Sequence, residues 1–172
     1  MPVEVGYEQR IVNTAFLPSR EIRMIEKDQI DILYAADEPA PVELLLRALR
    51  KVSMNLTLKR VTDGQQALDY LYRRGNYEHL KSAPLPRLIF LELQMPKIDG
   101  LQVLRIVKAD RFLNHIPVVM LIATDANLYK QDASLIADSY LGNLADFTEL
   151  YQIVETLCCR YLQHPRTRVG GV

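Results

Sequence analysis

The stretch that decides the fold is a short apolar run interrupted by one acid, Leu88-Ile89-Phe90-Leu91-Glu92-Leu93. A run of this length and composition is typical of a central strand in a parallel sheet, where helices cover both faces. Comparable apolar runs stand at residues 30–35 and 118–123, and shorter strand patterns stand at residues 56–61 and 139–141. The chain therefore contains five predicted strands.

Segments with the apolar spacing of helices lie between and after these strands. They comprise residues 42–52, a segment after the Asp63-Gly64 turn, and residues 101–109, 127–136 and 147–162. Alternation of this kind predicts an α/β fold with a doubly wound, five-stranded parallel sheet. In such a fold the functional residues lie in the loops that follow the carboxyl ends of the strands.

The length of 172 residues suits a single domain with a full-sized core. Residues 1–28 show no sustained period and are predicted to form an N-terminal extension. Residues 29–163 form the predicted domain, and residues 164–172 form a C-terminal tail. Residues 75–86 are polar and contain two prolines, so a surface loop is predicted there.

Charge and hydropathy exclude several classes of protein. Lys plus Arg and Asp plus Glu both number 21, so no overall field attracts nucleic acid or an anionic membrane. No run of about 18 apolar residues is present, and residues 1–10 lack the apolar core of a signal peptide. We therefore expect a cytoplasmic protein. The adjacent Cys158 and Cys159 cannot build a disulfide framework and are interpreted as small hydrophobic residues.

Four blocks of sequence, in this order, resemble the signature blocks of response-regulator receiver domains: residues 32–39, 88–100, 116–123 and 139–143. The resemblance runs from about Ile30 to Leu162. Three further blocks, at residues 46–51, 63–68 and 72–77, are similar to those of the single-domain regulators that partner bacterial phytochromes. It implies a flavodoxin-like sheet with strand order 2-1-3-4-5.

The resemblance also implies a phosphorylation site, and this chain departs from it. In the family an aspartate at the end of the third strand accepts a phosphoryl group and an acidic pair binds Mg²⁺. A hydroxyl and a lysine contact the phosphoryl oxygens. Here Glu92 stands at the acceptor position, and Ala36 and Asp37 stand at the acidic pair. Ile122 occupies the hydroxyl position and Asn143 the lysine position. A pseudo-receiver without catalytic residues is therefore expected.

Two other interpretations of Glu92 stay open. Its carboxylate stands one methylene farther out than that of an aspartate, so phosphorylation there would need atypical chemistry. As a permanent mimic of the phosphoryl group it would make the regulator constitutively active, although Ile122 donates no hydrogen bond and Asn143 only a neutral one. Weak Mg²⁺ binding by Asp37 and Glu92 is a further hypothesis, and no other cofactor is expected.

Receivers use the face formed by the fourth helix, fifth strand and fifth helix for homodimers and for effector contacts. In this chain the interface candidates on that face are Tyr129, Tyr140, Tyr151 and Tyr161, and tyrosine suits interfaces. Tyr140 also holds the position of the family's switch aromatic, and its direction is open. We expect a protein partner such as a sensor kinase or another regulator, or a second copy of this chain, and no nucleic acid or membrane.

An enzyme on the same scaffold has little support. The sequence lacks the G-x-G-x-x-G, P-loop and G-x-S-x-G motifs. His79, His115 and His164 fall in predicted loops or in the tail without a neighbouring nucleophile. Only residues 163–172 follow the last predicted helix, so no DNA-binding output domain is expected.

Overall fold

Five parallel strands form a single sheet in the computed structural model, which describes residues 30–52, 56–122, 136–142 and 147–162. The strands are β1 (Ile32–Ala35), β2 (Leu58–Val61), β3 (Leu88–Glu92), β4 (Val118–Ile122) and β5 (Ser139–Gly142). Their order across the sheet is β2-β1-β3-β4-β5. The predicted flavodoxin-like topology is therefore confirmed.

The helices are α1 (Pro39–Lys51), α2 (Gly64–Tyr72), α3 (Gly100–Ala109) and a C-terminal helix (Phe147–Leu162). Helix α1 begins at Pro39 rather than at the predicted Val42, because proline is well suited to the first helical turn. A 3-10 helix, Gly75–Leu80, occupies part of the segment predicted as a loop, so that prediction is wrong there. Residues 1–28, the tail and residues 127–135 of the predicted fourth helix lie outside the described residues.

The core forms two layers because strand side chains alternate between the faces of the sheet. Ile89 and Leu91 of β3 belong to the layer beneath α2 and α3. Leu88 and Phe90 belong to the layer beneath α1 and the C-terminal helix. Since both faces are covered, the strand is continuously apolar until it ends at Glu92.

The C-terminal helix contributes a buried stripe to the second layer, made of Leu150, Val154, Leu157, Cys158 and Leu162. Cys158 is buried, whereas Cys159 is exposed. Burial, together with the neighbouring Cys159 thiol, raises the pKa of the Cys158 thiol to about 12. The sequence predicted small core or interface hydrophobic residues; the core position is confirmed for Cys158, and an interface position for Cys159 stays a prediction.

The strand register brings the functional loops to one edge. Ala35 pairs with Val61 on one side and with Leu91 on the other, and Glu92 pairs with Leu121. The loops after β1, β2 and β3 therefore begin at the same level of the sheet. Within the described part of the chain, no helix combines the length and the apolar character needed to cross a bilayer.

Candidate functional site

Glu92 ends β3 and is half-buried at the carboxyl edge of the sheet. Its Oε2 accepts a hydrogen bond from the backbone N–H of Asp37, at 3.2 Å. Asp37 lies in the loop between β1 and α1, so this bond joins that loop to the end of β3. The structure thus brings together two of the residues that the sequence singled out.

The Glu92 carboxyl group has a perturbed affinity for protons. Burial raises its pKa to about 7, and the charge of Asp37 and a hydrogen bond between the two carboxyl side chains raise it in the same direction. The Asp37 amide opposes these effects because it stabilises the ionised form. Near neutral pH, Glu92 is therefore protonated in a substantial fraction of molecules.

Arg60 is a member of this site that the sequence interpretation missed. It lies on β2 beside Tyr34 in the strand register. Its Nη2 donates to the carbonyl oxygens of Ala36, at 3.2 Å, and Asp37, at 2.7 Å. A guanidinium group from β2 thus holds the backbone of the loop that carries the remaining acid.

Tyr34 lies beneath this loop, and its side chain is fully buried. Its hydroxyl, like the Nε of Arg60, has no hydrogen-bond partner among the described residues. Burial raises the pKa of Tyr34 far above its usual range. The charge of Glu92 raises it further and that of Arg60 lowers it. The tyrosine hydroxyl therefore lies within electrostatic range of both groups.

Apolar side chains occupy two other positions of the expected site. Ala36 is completely buried and Ile122 is 3% exposed. Ile122 belongs to the core layer beneath α2 and α3, so its side chain is part of the packed interior. Asn143 lies outside the described residues.

The tyrosines proposed for the interface are placed differently from one another. Tyr140 lies on the edge strand β5 and is 56% exposed. Tyr151 is partly buried, with the Nζ of Lys51 in α1 lying 4.4 Å from its ring centroid. Its side chain therefore lies near α1, against which the C-terminal helix packs. Tyr161 is partly buried against the core layer beneath α1 and the C-terminal helix. Tyr129 lies outside the described residues.

A second pair of loops at this edge is closely packed. Asp63 is buried, accepts a hydrogen bond from the Gln66 amide at 2.7 Å as the N-cap of α2, and pairs with the Nζ of Lys97 at 2.8 Å. Lys97 itself has a left-handed backbone, with φ of 65°. These contacts join the loop after β2 to the loop after β3.

Two glycines allow this close packing. A Cβ on Gly64 would overlap the carbonyl oxygen of Ile98, and a Cβ on Gly100 would overlap the carbonyl oxygen of Glu92. At Gly100 the backbone N–H donates to the carbonyl oxygen of Leu93, at 2.8 Å. The loop after β3 is therefore folded tightly over the end of its own strand.

Known proteins resemble this chain along most of its length. The chain is 32% identical over 133 residues to the probable methanogenesis regulatory protein FilR2 of Methanothrix harundinacea, which covers 76% of this chain and 83% of FilR2. Two crystal structures superpose with a TM-score of 0.68 each. One is the phosphorylated cyanobacterial phytochrome response regulator RcpA, at 30% identity, covering 78% of this chain and 95% of RcpA. The other is the Mn²⁺-bound form of response regulator Rcp1, at 27% identity, covering 81% and 99%.

The family comparison agrees with the topology. The response regulator receiver domain matches residues 32–155, a range that runs from the start of β1 into the C-terminal helix. This range includes Glu92 and every described loop of the edge. The chain belongs to the response regulator receiver domain family of two-component signalling.

Proposed function

We propose that this receiver is a phosphorylation-independent module that binds a protein partner, which is to say a pseudo-receiver. The observation that supports this most directly is the state of Glu92 at the acceptor position. Its carboxylate is engaged by the Asp37 amide, and the neighbouring Ala36 and Ile122 side chains are apolar and buried. The domain keeps the receiver fold, while Ala36, Glu92, Ile122 and Asn143 stand at four of the positions whose usual groups serve the transfer in the family.

Phosphoryl transfer depends on positioning and on stabilisation of the charge that develops on the phosphoryl oxygens. Glu92 presents its carboxylate one methylene beyond the position of an aspartate, and a raised pKa lowers the fraction that is ionised. Ile122 has no donor for a phosphoryl oxygen. The residues present therefore do not support the chemistry.

The same facts argue against the alternative of a constitutively active regulator. A permanent phosphoryl mimic must carry a stable negative charge, yet the pKa of Glu92 lies near 7. The hydroxyl position that would detect this charge is occupied by the buried Ile122. A signal based on the charge of Glu92 would also vary with pH in the neutral range.

The proposed partner is a protein of a two-component pathway, either a sensor kinase or another regulator, or a second copy of this chain. Tyr140 on β5 suits such a contact, because its ring is 56% exposed and lies on the face where the interface is expected. Ile136, just before β5, is also exposed. The expected surface therefore lies at the β5 edge.

The decisive experiment treats the protein with acetyl phosphate and Mg²⁺ and measures intact mass. We expect no phosphoryl group on the wild type. The matched control is a variant with the family residues restored, Ala36→Asp, Glu92→Asp, Ile122→Thr and Asn143→Lys, and it should gain one phosphoryl group. A receiver with an intact acceptor verifies the reagent. Phosphorylation of wild-type Glu92 or Asp37 would contradict the proposal.

A further inference from the structure

Two exposed arginines at the amino edge of the sheet lie over aromatic rings. The guanidinium carbon of Arg74, which follows α2, is 4.7 Å from the ring centroid of Tyr72. The guanidinium carbon of Arg111, which follows α3, is 4.5 Å from the ring centroid of Phe112. Helices α2 and α3 run back along the sheet from the carboxyl ends of β2 and β3. Both stacked pairs therefore lie at the edge opposite Glu92.

A single carboxylate joins the two stacked pairs. The Oδ2 of Asp110 accepts a hydrogen bond from the Tyr72 hydroxyl at 2.8 Å, and its Oδ1 accepts from the backbone N–H of Phe112 at 2.7 Å. Ile106 lies one helical turn before Asp110, whose backbone N–H donates to the Ile106 carbonyl oxygen. These residues form one continuous surface. We call it the α2–α3 surface, and its members are Tyr72, Arg74, Ile106, Asp110, Arg111 and Phe112.

The α2–α3 surface exposes large apolar side chains to water. Phe112 is 64% exposed and Ile106 is 39% exposed. Single exposed apolar residues are ordinary on protein surfaces, but these two lie close together beside the two stacked arginines. Aromatic residues and arginine are also the residue types that are enriched where proteins contact one another. The composition of this surface is therefore that of a protein interface.

Charge indicates which kind of partner fits. In the part of the chain that the structure describes, neither Arg74 nor Arg111 is paired with an acid. A guanidinium that lies flat on a ring keeps N–H groups along its edge, where a carboxylate can accept two of them. Nucleic acid fits less well, because the Asp110 carboxylate between the arginines repels phosphates and the chain has no net positive charge.

We propose that the α2–α3 surface is a docking site for an acidic protein segment. The carboxylates of this segment pair with Arg74 and Arg111, and an apolar side chain of the segment packs on Phe112 and Ile106. The inference goes beyond the proposed function, since this surface lies apart from the β5 edge and from the site of Glu92. It gives the domain a second contact that does not depend on the state of that site.

The test titrates the isotope-labelled full chain with a short helical peptide that carries glutamates along one side and leucines along the other. Backbone amide shifts are followed by NMR, and the largest shifts should occur at Arg74, Ile106 and Phe112. The same peptide with glutamine in place of every glutamate should bind about tenfold more weakly, because the charge-assisted hydrogen bonds are lost.

Variants of the surface should weaken binding of the glutamate peptide. The double variant Arg74→Gln/Arg111→Gln should lose about tenfold in affinity, and Phe112→Ser should lose a similar factor, since a few anchor residues supply most of the affinity of an interface. All three side chains are exposed, so the variants should fold as wild type does.

Controls remove the same groups elsewhere. Arg50→Gln/Arg160→Gln removes two exposed arginines from α1 and the C-terminal helix, on the other face of the sheet, and Tyr140→Ser removes an exposed ring from β5. Both should bind the peptide as wild type does. Equal weakening by the arginine control would overturn the proposal, because the effect would then be one of net charge.

Three other results would also overturn the proposal. The first is weaker binding by Tyr140→Ser with the largest shifts at β5, which would place the peptide at the β5 edge. The second is tighter binding of a single-stranded oligonucleotide than of the peptide, which would make the surface one for nucleic acid. The third is no binding of the glutamate peptide by wild type.

Discussion

Two pairs of loops share the carboxyl edge of the sheet, and they differ in what holds them. The loop after β2 and the loop after β3 are joined by the Asp63–Lys97 ion pair and by close backbone packing at Gly64. The loop after β1 is held by hydrogen bonding to Glu92 at the end of β3 and to Arg60 on β2. Close backbone packing and an ion pair hold the first pair of loops together. Hydrogen bonds of Arg60 and Glu92 to the backbone hold the loop after β1.

Protonation distinguishes the two regions most clearly. Asp63 is buried, which raises its pKa, but hydrogen bonds from Lys97 and Gln66 outweigh this effect and lower the pKa overall. The pKa of Glu92 is raised to about 7 by burial and by Asp37. One edge of one sheet therefore contains an acid stabilised as an anion and an acid stabilised in its neutral form.

The largest effect on the free energy of unfolding is expected where the loops after β2 and β3 pack closely. In Gly100→Ala the new Cβ overlaps the carbonyl oxygen of Glu92, so the loop after β3 must move. We expect this change to lower the free energy of unfolding by about 3 kcal/mol. Urea denaturation measures this. The control is Gly75→Ala, where φ is 54° and nothing lies within 4 Å of the new Cβ. The left-handed backbone alone should cost about 1 kcal/mol. Equal losses would show that close approach does not matter at Gly100.

A smaller loss is expected from Asp63→Ala, which removes both a helix cap and the partner of Lys97. Loss of an N-cap costs about 1 kcal/mol, and the buried position of Asp63 should increase this to about 2 kcal/mol. Asp99→Ala is the control, because Asp99 caps α3 through the Gln102 amide and is exposed. If both variants lose the same free energy of unfolding, the Lys97 pair contributes nothing measurable.

The two acids should change stability with pH in opposite directions. Glu92 binds its proton more tightly when folded, so its contribution falls as pH rises from its ordinary 4.5 to about 7 and is constant above that. Asp63 has a lowered folded pKa, so its contribution is present above its ordinary 3.8 and is lost as pH falls through the folded value.

Glu92→Gln should therefore reduce the decline of stability as pH rises through the window of Glu92. Unfolding free energies at a series of pH values measure this decline. Glu43→Gln, on the exposed surface of α1, is the control and should keep the wild-type decline. An unchanged profile in Glu92→Gln would mean that Glu92 is not stabilised in its neutral form.

The smallest effect on stability is expected at the β5 edge. Tyr140→Ala removes an exposed ring and should change the free energy of unfolding by less than about 0.5 kcal/mol. Tyr151→Ala removes a partly buried ring and its contact with Lys51, and should cost about 1 kcal/mol. Sedimentation velocity should show weaker self-association for Tyr140→Ala if the partner is a second copy. A stronger loss of association in Tyr151→Ala would move the proposed contact to the α1 side.

The sheet could be predicted from sequence because its signal is local. Continuous apolar runs at β3 and β4 and helical spacing after each strand define the elements, and the resemblance supplied the strand order. The positions of Ala36, Asp37, Glu92 and Ile122 at one edge followed from the same topology. What local patterns did not reveal was the 3-10 helix at Gly75–Leu80, because its polar residues have no apolar period.

Arg60 could not be predicted to belong to the site. Arg60 stands at a polar position in the alternating pattern of its strand, as many exposed residues do. Its partners are the backbone carbonyls of Ala36 and Asp37, and such contacts have no signature in the sequence. The pKa of Glu92 likewise depends on burial, which emerges only when the sheet is assembled. The contact between Tyr151 and Lys51 also has no signature in the sequence, because helical spacing alone does not say which neighbour covers a partly buried residue.

The two adjacent cysteines differ in reactivity, so a dye can be attached to one of them selectively. The thiolate is the nucleophile that attacks thiol reagents, and burial keeps Cys158 protonated, whereas Cys159 is exposed. A maleimide dye should therefore attach to one position on the outer surface of the C-terminal helix, with no engineered substitution. Such a dye would report docking of a partner on that helix as a change in fluorescence anisotropy.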